Sequence, residues 1–113
     1  MRSLYIFGGE INQSGSCLKY DTKTSQWSYI AEINIHQRYA ACTVFEGKIV
    51  VSSGIYNLKS VEAYDFHENK WSFLPDMIQK KYCHGSVGLG NKLFVIGYTS
   101  EVFDSLSRVF TEI

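Results

Sequence analysis

The chain has 113 residues, with 11 basic and 11 acidic side chains and therefore no formal net charge at neutral pH. Hydrophobic residues make up 45% and charged residues 19%, a balance that excludes an intrinsically disordered chain and fits one small globular domain. Because there is no basic surplus, the composition argues against a protein that binds nucleic acid through its phosphates.

The spacing of the cysteines and the length of the apolar runs bear on the cellular location of the protein. Cys17, Cys42 and Cys83 are odd in number and too far apart for a Cys-x-x-Cys clip, which predicts thiols in a reducing compartment. No apolar run approaches the roughly 20 residues of a membrane helix, and SLYIF at 3–7 is shorter than the core of a secretory signal. We therefore expect a cytoplasmic protein, with the cytoskeleton as a second location, and no membrane partner.

Short apolar runs rich in β-branched and aromatic residues predict strands, and no stretch carries a helical stripe. In chain order the runs are LYIF (4–7), LKYD (18–21), ACTVF (41–45), KIVV (48–51), SVEAYD (60–65), KWSFL (70–74), GSVGL (85–89), LFVI (93–96), EVFD (101–104) and RVFTEI (108–113). The tight links EGK (46–48) and GNK (90–92) suit hairpins, and FHEN (66–69) joins another. The chain is thus predicted to be all-β.

Three blocks recur in the same order. LYIFGG (4–9), IVVSSG (49–54) and LFVIGY (93–98) start 45 and then 44 residues apart. An aromatic residue followed by Asp comes next in each copy, and a second aromatic residue follows the Asp after five intervening residues. The repeat markers are Gly8, Gly9, Gly54, Gly97, Tyr20, Asp21, Trp27, Tyr64, Asp65, Trp71, Phe103, Asp104 and Phe110. The third copy is degenerate, because Tyr98 replaces the second glycine and Phe110 replaces tryptophan.

Each marker has a structural interpretation. Glycine lets the chain leave a sheet sharply. The large aromatic residues are expected to fill the space between neighbouring units. Each Asp carboxylate can accept hydrogen bonds from turn amides two residues on. A unit of four short antiparallel strands cannot bury its own two faces, so a stack of such units predicts a β-propeller or a similar array.

The double glycine after an apolar strand, then Tyr-Asp, then Trp resembles the kelch repeat. The resemblance covers nearly the whole chain and is weakest over 92–113. The segments RYAACTVFEGKIVVSSG (38–54) and NKLFVIG (91–97) are similar in sequence to the BTB-kelch adaptor proteins in particular. The resemblance implies about 2.75 four-stranded blades of a kelch-type β-propeller, an incomplete ring, with blade strands running from a (inner) to d (outer). The repeats are 1–38 (strands b–d), 39–82 (a complete blade) and 83–113 (degenerate). We expect a fragment of a longer kelch protein, or copies that associate into a ring.

The loops vary while the framework is constant, which is the pattern of a binding scaffold. In kelch adaptors these loops line one face of the ring and grip a peptide of the partner. The resemblance therefore implies Arg38, just before strand a, and Tyr56 and Tyr98, just after the glycine block, as partner-binding residues. Weaker loop candidates are Tyr39, Tyr82, Asn12, Gln13, Ser14 and Asn57, all of which could equally be ordinary exposed residues. Lys80-Lys81 is expected to be a solvated loop tip.

The resemblance implies a protein-protein interaction module, namely the substrate-recognition part of a cullin-RING ubiquitin ligase adaptor. Its partners would be a ubiquitination substrate and, through domains outside this chain, a cullin. An actin-binding kelch protein and a truncated fragment without function are the alternatives. No catalytic residue, metal site or cofactor is predicted and the chain is not expected to be an enzyme. A copper-containing propeller oxidase would need converging ligands, whereas His36, His67 and His84 are scattered.

Overall fold

The structure, a computed structural model, describes residues 3–7 (for 6 and 7 the backbone), 17–35, 40–52, 59–81 and 84–113. In this part of the chain there are eleven β-strands. They are β1 (Ser3–Phe7), β2 (Cys17–Asp21), β3 (Gln26–Ile30), β4 (Ala41–Phe45), β5 (Lys48–Ser52), β6 (Val61–Asp65), β7 (Lys70–Leu74), β8 (Gly85–Leu89), β9 (Lys92–Ile96), β10 (Glu101–Asp104) and β11 (Val109–Glu112). The described residues contain no helix that could span a membrane.

The strands form three antiparallel sheets in chain order. Sheet 1 has the order β1-β2-β3, sheet 2 has β4-β5-β6-β7, and sheet 3 has β8-β9-β10-β11. The first strands of sheets 2 and 3, β4 and β8, contact each other, so these two sheets pack together through their inner strands. The prediction of an all-β array of about 2.75 blades is confirmed, and the described sheets do not close a ring. The exact repeat boundaries stay a prediction.

The turns explain why the strands pair in these registers. Phe45 pairs with Lys48, leaving Glu46 and Gly47 as a two-residue loop in which φ is 50° and 75°. Both central residues are therefore left-handed, as a type I′ hairpin requires, and its twist matches that of the strands. The corresponding link between β8 and β9 is Gly90-Asn91, where the glycine has φ of 60°.

The hairpins that join the last two strands of each sheet share one design. Oδ1 of Asp21, Asp65 and Asp104 accepts the backbone N–H two residues on at 2.8 Å in every copy. It also accepts the N–H three residues on, at 3.4, 3.0 and 3.3 Å respectively. The last residue of each turn has a positive φ; these residues are Ser25, Asn69 and Arg108. The three aspartates thus fix equivalent turns on three sheets.

Two apolar cores join the sheets. The core between sheets 1 and 2 contains Cys17, Ile33, Ile49, Val51, Tyr64 and Trp71. The core between sheets 2 and 3 contains Phe45, Val50, Val61, Ala63, Met77, Leu93, Val95, Phe103 and Phe110. Since β5 contributes alternate residues to both cores, it is covered on both faces and reads as a continuous apolar run.

The repeated aromatic residues pack in pairs. The ring centroids are 4.8 Å apart for Tyr20 and Trp27, 5.2 Å for Tyr64 and Trp71, and 5.0 Å for the corresponding pair in sheet 3, Phe103 and Phe110. Trp71 is 4% exposed, whereas Trp27 is 52% exposed. The expected place of Trp27 between two sheets is therefore not what the structure shows, because no described sheet lies against that face of sheet 1.

Candidate partner-binding face

One end of the three sheets gathers the connections that the sequence singles out. Ser52, Val61 and Leu74 form one row across the end of sheet 2. The chain leaves this row after β5 and returns to it at β6, and it leaves again after β7 toward β8. We call this end the loop face. The connections that begin and end here are 8–16, 31–40, 53–60, 75–84 and 97–100.

A buried carboxylate on β6 anchors the connection between sheets 1 and 2. Glu62 is completely buried, and one of its oxygens accepts the backbone N–H of Asn34 at 3.0 Å and its side-chain amide at 3.0 Å. The other oxygen accepts the backbone N–H of Ile35 at 2.9 Å. Hydrogen bonds to an ionised acceptor are stronger than neutral ones. The segment that leads to Arg38 is therefore held in place by the next sheet.

Sheet 3 repeats this arrangement with Glu101, which is likewise completely buried. Its oxygens accept the backbone N–H groups of Ile78 at 2.7 Å and Gln79 at 2.8 Å. Lys81 is 4% exposed and its ammonium group pairs with the same carboxylate. The expectation of a solvated Lys80-Lys81 tip is wrong for Lys81. The carboxylate draws that side chain inward, because an ion pair buried with its hydrogen bonds satisfied can offset the desolvation of both charges.

A serine and a histidine meet between sheets 2 and 3 at this face. Ser52 Oγ lies 2.7 Å from His84 Nε2 and is also 3.4 Å from the carbonyl oxygen of Ala41, to which it can donate. Burial, together with the nearby charge of Lys81, lowers the pKa of His84 from 6.5 to about 4, so its imidazole is neutral at physiological pH. Neutral Nε2 can therefore accept or donate in this pair.

This pair resembles the nucleophile and base of a hydrolase in distance only. Ser52 is 1% exposed, so a substrate cannot reach its hydroxyl. His84 Nδ1 is buried without a hydrogen-bond partner among the described residues, so no third group orients the ring. The arrangement fits a structural link between β5 and the start of β8. Among the described ranges no group of three or more His, Cys, Asp or Glu residues could hold a metal ion.

Tyr98 is the partner-binding candidate that the structure describes. Its side chain is fully exposed, at 106% of the reference area, and follows directly after Gly97 on the loop face. A Cβ atom at Gly97 would lie 3.0 Å from the Cβ of His84, so this position packs closely on the segment entering sheet 3. An exposed aromatic ring next to a closely packed backbone is well placed to serve as an anchor for a partner.

The remaining candidates lie outside the described residues. They are Asn12, Gln13, Ser14, Arg38, Tyr39, Tyr56, Asn57 and Tyr82, and the markers Gly8, Gly9 and Gly54 lie there too. The described strands nevertheless fix the ends of each of these connections. Ile35 and Gln79, both held by buried glutamates, come three residues before Arg38 and Tyr82 respectively.

Sequence reasoning missed the two glutamates although a signal was present. Glu62 and Glu101 each stand three residues before the repeated Asp, whereas the first copy has Leu18 at that position. A charged residue at the same place in two apolar strands indicates a buried partner, since a lone buried charge is costly. The Ser52–His84 contact carried no such signal, because the two residues lie 32 positions apart.

Comparison with known proteins shows similarity to kelch proteins. Residues 38–78 match the kelch motif. The chain is 29% identical to Kelch-like protein 41a of Danio rerio over 97% of its length, 29% identical to Kelch-like protein 40 of Xenopus tropicalis over 83%, and 28% identical to Kelch-like protein 23 of Homo sapiens over 83%. The aligned region is 20%, 16% and 17% of those relatives, so the chain spans a fifth or less of their length.

Proposed function

The chain carries a kelch motif and is a distant relative of the Kelch-like proteins, and from this premise we propose that it is a protein-interaction module that binds its partner through the loop face. The observation that carries the proposal is the anchoring of the two connections between sheets, at residues 34–35 and at residues 78–79. Glu62 and Glu101, each from inside a sheet, hold the segments that lead into the loop face. A binding surface gains affinity when the segments that carry its contact residues are held in place before the partner arrives, and the two glutamates hold the described ends of two such segments.

The composition of the loop face supports the same proposal. Arginine and tyrosine predominate among its candidate residues, and these residue types are enriched in the energetically dominant positions of interfaces. We assign the leading contacts to Arg38, Tyr56 and Tyr98. Tyr39, Tyr82, Asn12, Gln13, Ser14 and Asn57 would surround them as hydrogen-bonding and stacking residues.

Within a longer protein, we propose the more specific role of substrate recognition in a cullin-RING ubiquitin ligase. Its support is the resemblance to BTB-kelch adaptors and the similarity to Kelch-like proteins along most of the chain. The kelch part would choose the protein to be ubiquitinated, whereas BTB and helical domains would bind the cullin. No chemistry would take place on the residues of this chain.

The test is partner capture by the full-length protein with single substitutions on the loop face. Tyr98→Ala and Arg38→Ala should each weaken capture of a partner isolated with the wild-type protein by tenfold or more, the loss of one anchor. Leu106→Ala and Arg108→Asn are the matched controls, because both residues are exposed at the opposite end of sheet 3. Equal capture by all four variants would contradict the assignment of the loop face.

The ligase role is tested separately. Cells expressing the full-length protein should ubiquitinate the captured partner, and Tyr98→Ala should lower that ubiquitination without lowering association with the cullin. Co-sedimentation of the purified protein with actin filaments, in the absence of any cullin association, would overturn the ligase role in favour of a cytoskeletal one while leaving the interaction module intact.

A further inference from the structure

A cleft of about 150 Å³ lies between sheets 2 and 3. Each of these sheets has four strands, so the cleft is bounded by the faces of two four-stranded sheets and not by the edge of a sheet. Its apolar lining consists of Phe45, Val50, Ala63, Leu74 and Phe103. The polar groups at its mouth come mainly from the β4–β5 and β10–β11 turns, which lie at the end opposite the loop face. None of the candidate residues for partner binding lines this cleft.

The turn that follows β10 differs from its counterpart after β6. Phe66 begins the turn after β6, and its ring packs on those of Tyr5 and Tyr64, with centroids 5.6 and 5.4 Å apart. Ser105 begins the turn after β10, and its hydroxyl donates to Glu46 Oε2 at 2.8 Å. Because a serine side chain is much smaller than a phenylalanine side chain, the space that a ring fills next to sheet 1 stays open next to sheet 2.

The polar link that joins sheets 1 and 2 cannot form between sheets 2 and 3. Asn69 Oδ1 accepts the hydroxyl of Tyr64 at 2.7 Å and the backbone N–H of Ala31 at 2.9 Å. The residues at the corresponding repeat positions are Arg108, Phe103 and Pro75. Arginine has no acceptor, phenylalanine has no hydroxyl and proline has no N–H, so none of them can take the same role. Among the described residues the guanidinium of Arg108 has no salt-bridge or hydrogen-bond partner.

The charges at the mouth of the cleft favour an anionic ligand. Two cations, Lys48 and Arg108, and one carboxylate, Glu46, line it. Glu46 already accepts the hydroxyl of Ser105, and Lys48 Nζ lies 3.9 Å from Asp65 Oδ2 in a long, partly exposed ion pair. Arg108 is therefore the charged group that a ligand can use. A guanidinium binds a carboxylate through two parallel hydrogen bonds, which fix the orientation of the bound group.

We propose that this cleft is a second binding site, separate from the loop face, and that it takes a small aromatic carboxylate. The aromatic ring lies against Phe45, Val50 and Phe103, which are at most 5% exposed. The rings of Phe45 and Phe103 are edge to face with centroids 6.3 Å apart, so they offer an aromatic wall to the ligand. An apolar cavity of similar volume can hold one benzene ring, which limits the ligand to a single ring. The carboxylate pairs with Arg108.

The probe is 3-phenylpropanoate, and 3-phenylpropanamide is its uncharged match. Binding of each compound to the full-length protein is measured by saturation-transfer NMR of the ligand signals. We expect saturable binding of the carboxylate with a dissociation constant of about 1 mM or lower, an affinity within reach of a ligand of this size. The amide should bind roughly tenfold more weakly, because it cannot form the charge-assisted pair with a guanidinium.

Matched variants locate the binding. Ser105→Phe fills the cleft with the side chain that sheet 2 has at this position, so it should abolish the binding of both compounds without lowering the melting temperature. Ser107→Phe is the control, since Ser107 is exposed in the same turn and does not line the cleft. Arg108→Asn introduces the residue that sheet 2 has there. It should weaken binding of the carboxylate roughly tenfold and leave binding of the amide unchanged.

Three outcomes would overturn the proposal. The first is no saturable binding of 3-phenylpropanoate, and the second is equal affinity for the carboxylate and the amide. The third is equal binding by Ser105→Phe and Ser107→Phe, because it would place the ligand outside the cleft. Tyr98→Ala should leave binding of the carboxylate unchanged, and Arg108→Asn should leave partner capture unchanged. Failure here is therefore distinguishable from failure of the loop-face proposal.

Discussion

The carboxylate of Glu62, buried in sheet 2, accepts the backbone N–H of Ile35 at 2.9 Å in the segment that leaves sheet 1. The next junction repeats this with Glu101 and the segment that leaves sheet 2. The sheets are thus joined by apolar cores and, at the loop face, by one carboxylate at each junction. Glu62 and Glu101 therefore stabilise the packing of the sheets and also hold the segments that lead to the candidate binding residues Arg38 and Tyr82.

Removing the first of these carboxylates should destabilise the chain. Glu62→Ala removes the two hydrogen bonds that the part-buried backbone N–H groups of Asn34 and Ile35 donate to a buried carboxylate, and a hydrogen bond to a charged group contributes roughly 1.5–3 kcal/mol. We expect a loss of about 3 kcal/mol in the free energy of unfolding, measured by urea denaturation. Glu112→Ala is the matched control, because Glu112 is exposed on β11 and should change stability by less than about 0.5 kcal/mol. Similar values for both would show that Glu62 has no anchoring role.

The buried ion pair predicts an order of effects. Lys81→Met removes the ammonium group but leaves Glu101 its two backbone donors, whereas Glu101→Leu leaves both those donors and the buried ammonium group unpaired. Urea denaturation should therefore show the larger loss of stability for Glu101→Leu, by about 1–2 kcal/mol. Lys80→Met, at the exposed neighbouring position, should be nearly neutral. If Lys81→Met lowered the free energy of unfolding more than Glu101→Leu did, the carboxylate of Glu101 would not be the group on which the other three depend.

Stability should fall as the pH is lowered through the range of His84. Its pKa is about 4 in the folded chain because burial disfavours the imidazolium, and about 6.5 when unfolded. As the pH drops from 6.5 toward 4, the unfolded chain takes up a proton that the folded chain does not, so the folded state loses stability. After allowance for partial exposure, we expect a loss of roughly 2 kcal/mol by pH 4.

The control for this titration is the exposed His67. Denaturation curves at pH 7 and pH 4.5 should differ less for His84→Gln than for the wild type, while His67→Gln should behave as the wild type. The folded-state pKa values of Asp65 and Asp104 are lowered, by turn amides at Asp65 and chiefly by Lys92 at Asp104. The stability that they contribute falls mainly once the pH is below about 4, where the unfolded chain's aspartates become protonated, so the curves are compared at pH 4.5 and not lower. If the pH dependence of stability were the same in His84→Gln as in the wild type, the loss of stability could not be assigned to His84.

The close approach of the inner strands predicts a position where only glycine fits. A Cβ atom at Gly88 would lie 2.6 Å from the carbonyl oxygen of Val44, a backbone atom that cannot move aside easily. Gly88→Ala should therefore lower the melting temperature measurably by forcing β8 away from β4. Gly85→Ala, on the same strand, meets no atom within 4 Å and should leave it unchanged or slightly raised. Equal melting temperatures for Gly88→Ala and Gly85→Ala would mean that β8 can move away from β4 without a loss of stability.

The sequence predicts the strands well because their signals are local. ACTVF and KWSFL coincide with β4 and β7 residue for residue, since short apolar runs bounded by turn residues have few alternatives. The environment of each repeated residue is less predictable, because it depends on the neighbouring sheet. Trp27 and Trp71 have the same place in the repeat but differ in exposure, 52% against 4%.

The candidate site illustrates the same limit. The loop positions of Arg38, Tyr56 and Tyr98 follow from the repeat, whereas the contact between Ser52 and His84 depends on how two sheets dock. Lys81 shows why composition misleads in loops. A pair of lysines usually indicates a solvated tip, yet a carboxylate from the next sheet buries the second one. Neither contact could be read from residues close in sequence.

Hydrogen–deuterium exchange of the full-length protein, with and without a bound partner, shows which face the partner covers. Binding through the loop face should slow exchange in segments 10–16, 36–39, 53–58 and 98–100. The turns at the opposite end of the sheets, 22–25, 66–69 and 105–108, should exchange at the same rate with and without the partner. Protection of those turns, with exchange in the loop-face segments unchanged, would show that the partner binds the opposite end of the sheets and would contradict binding through the loop face.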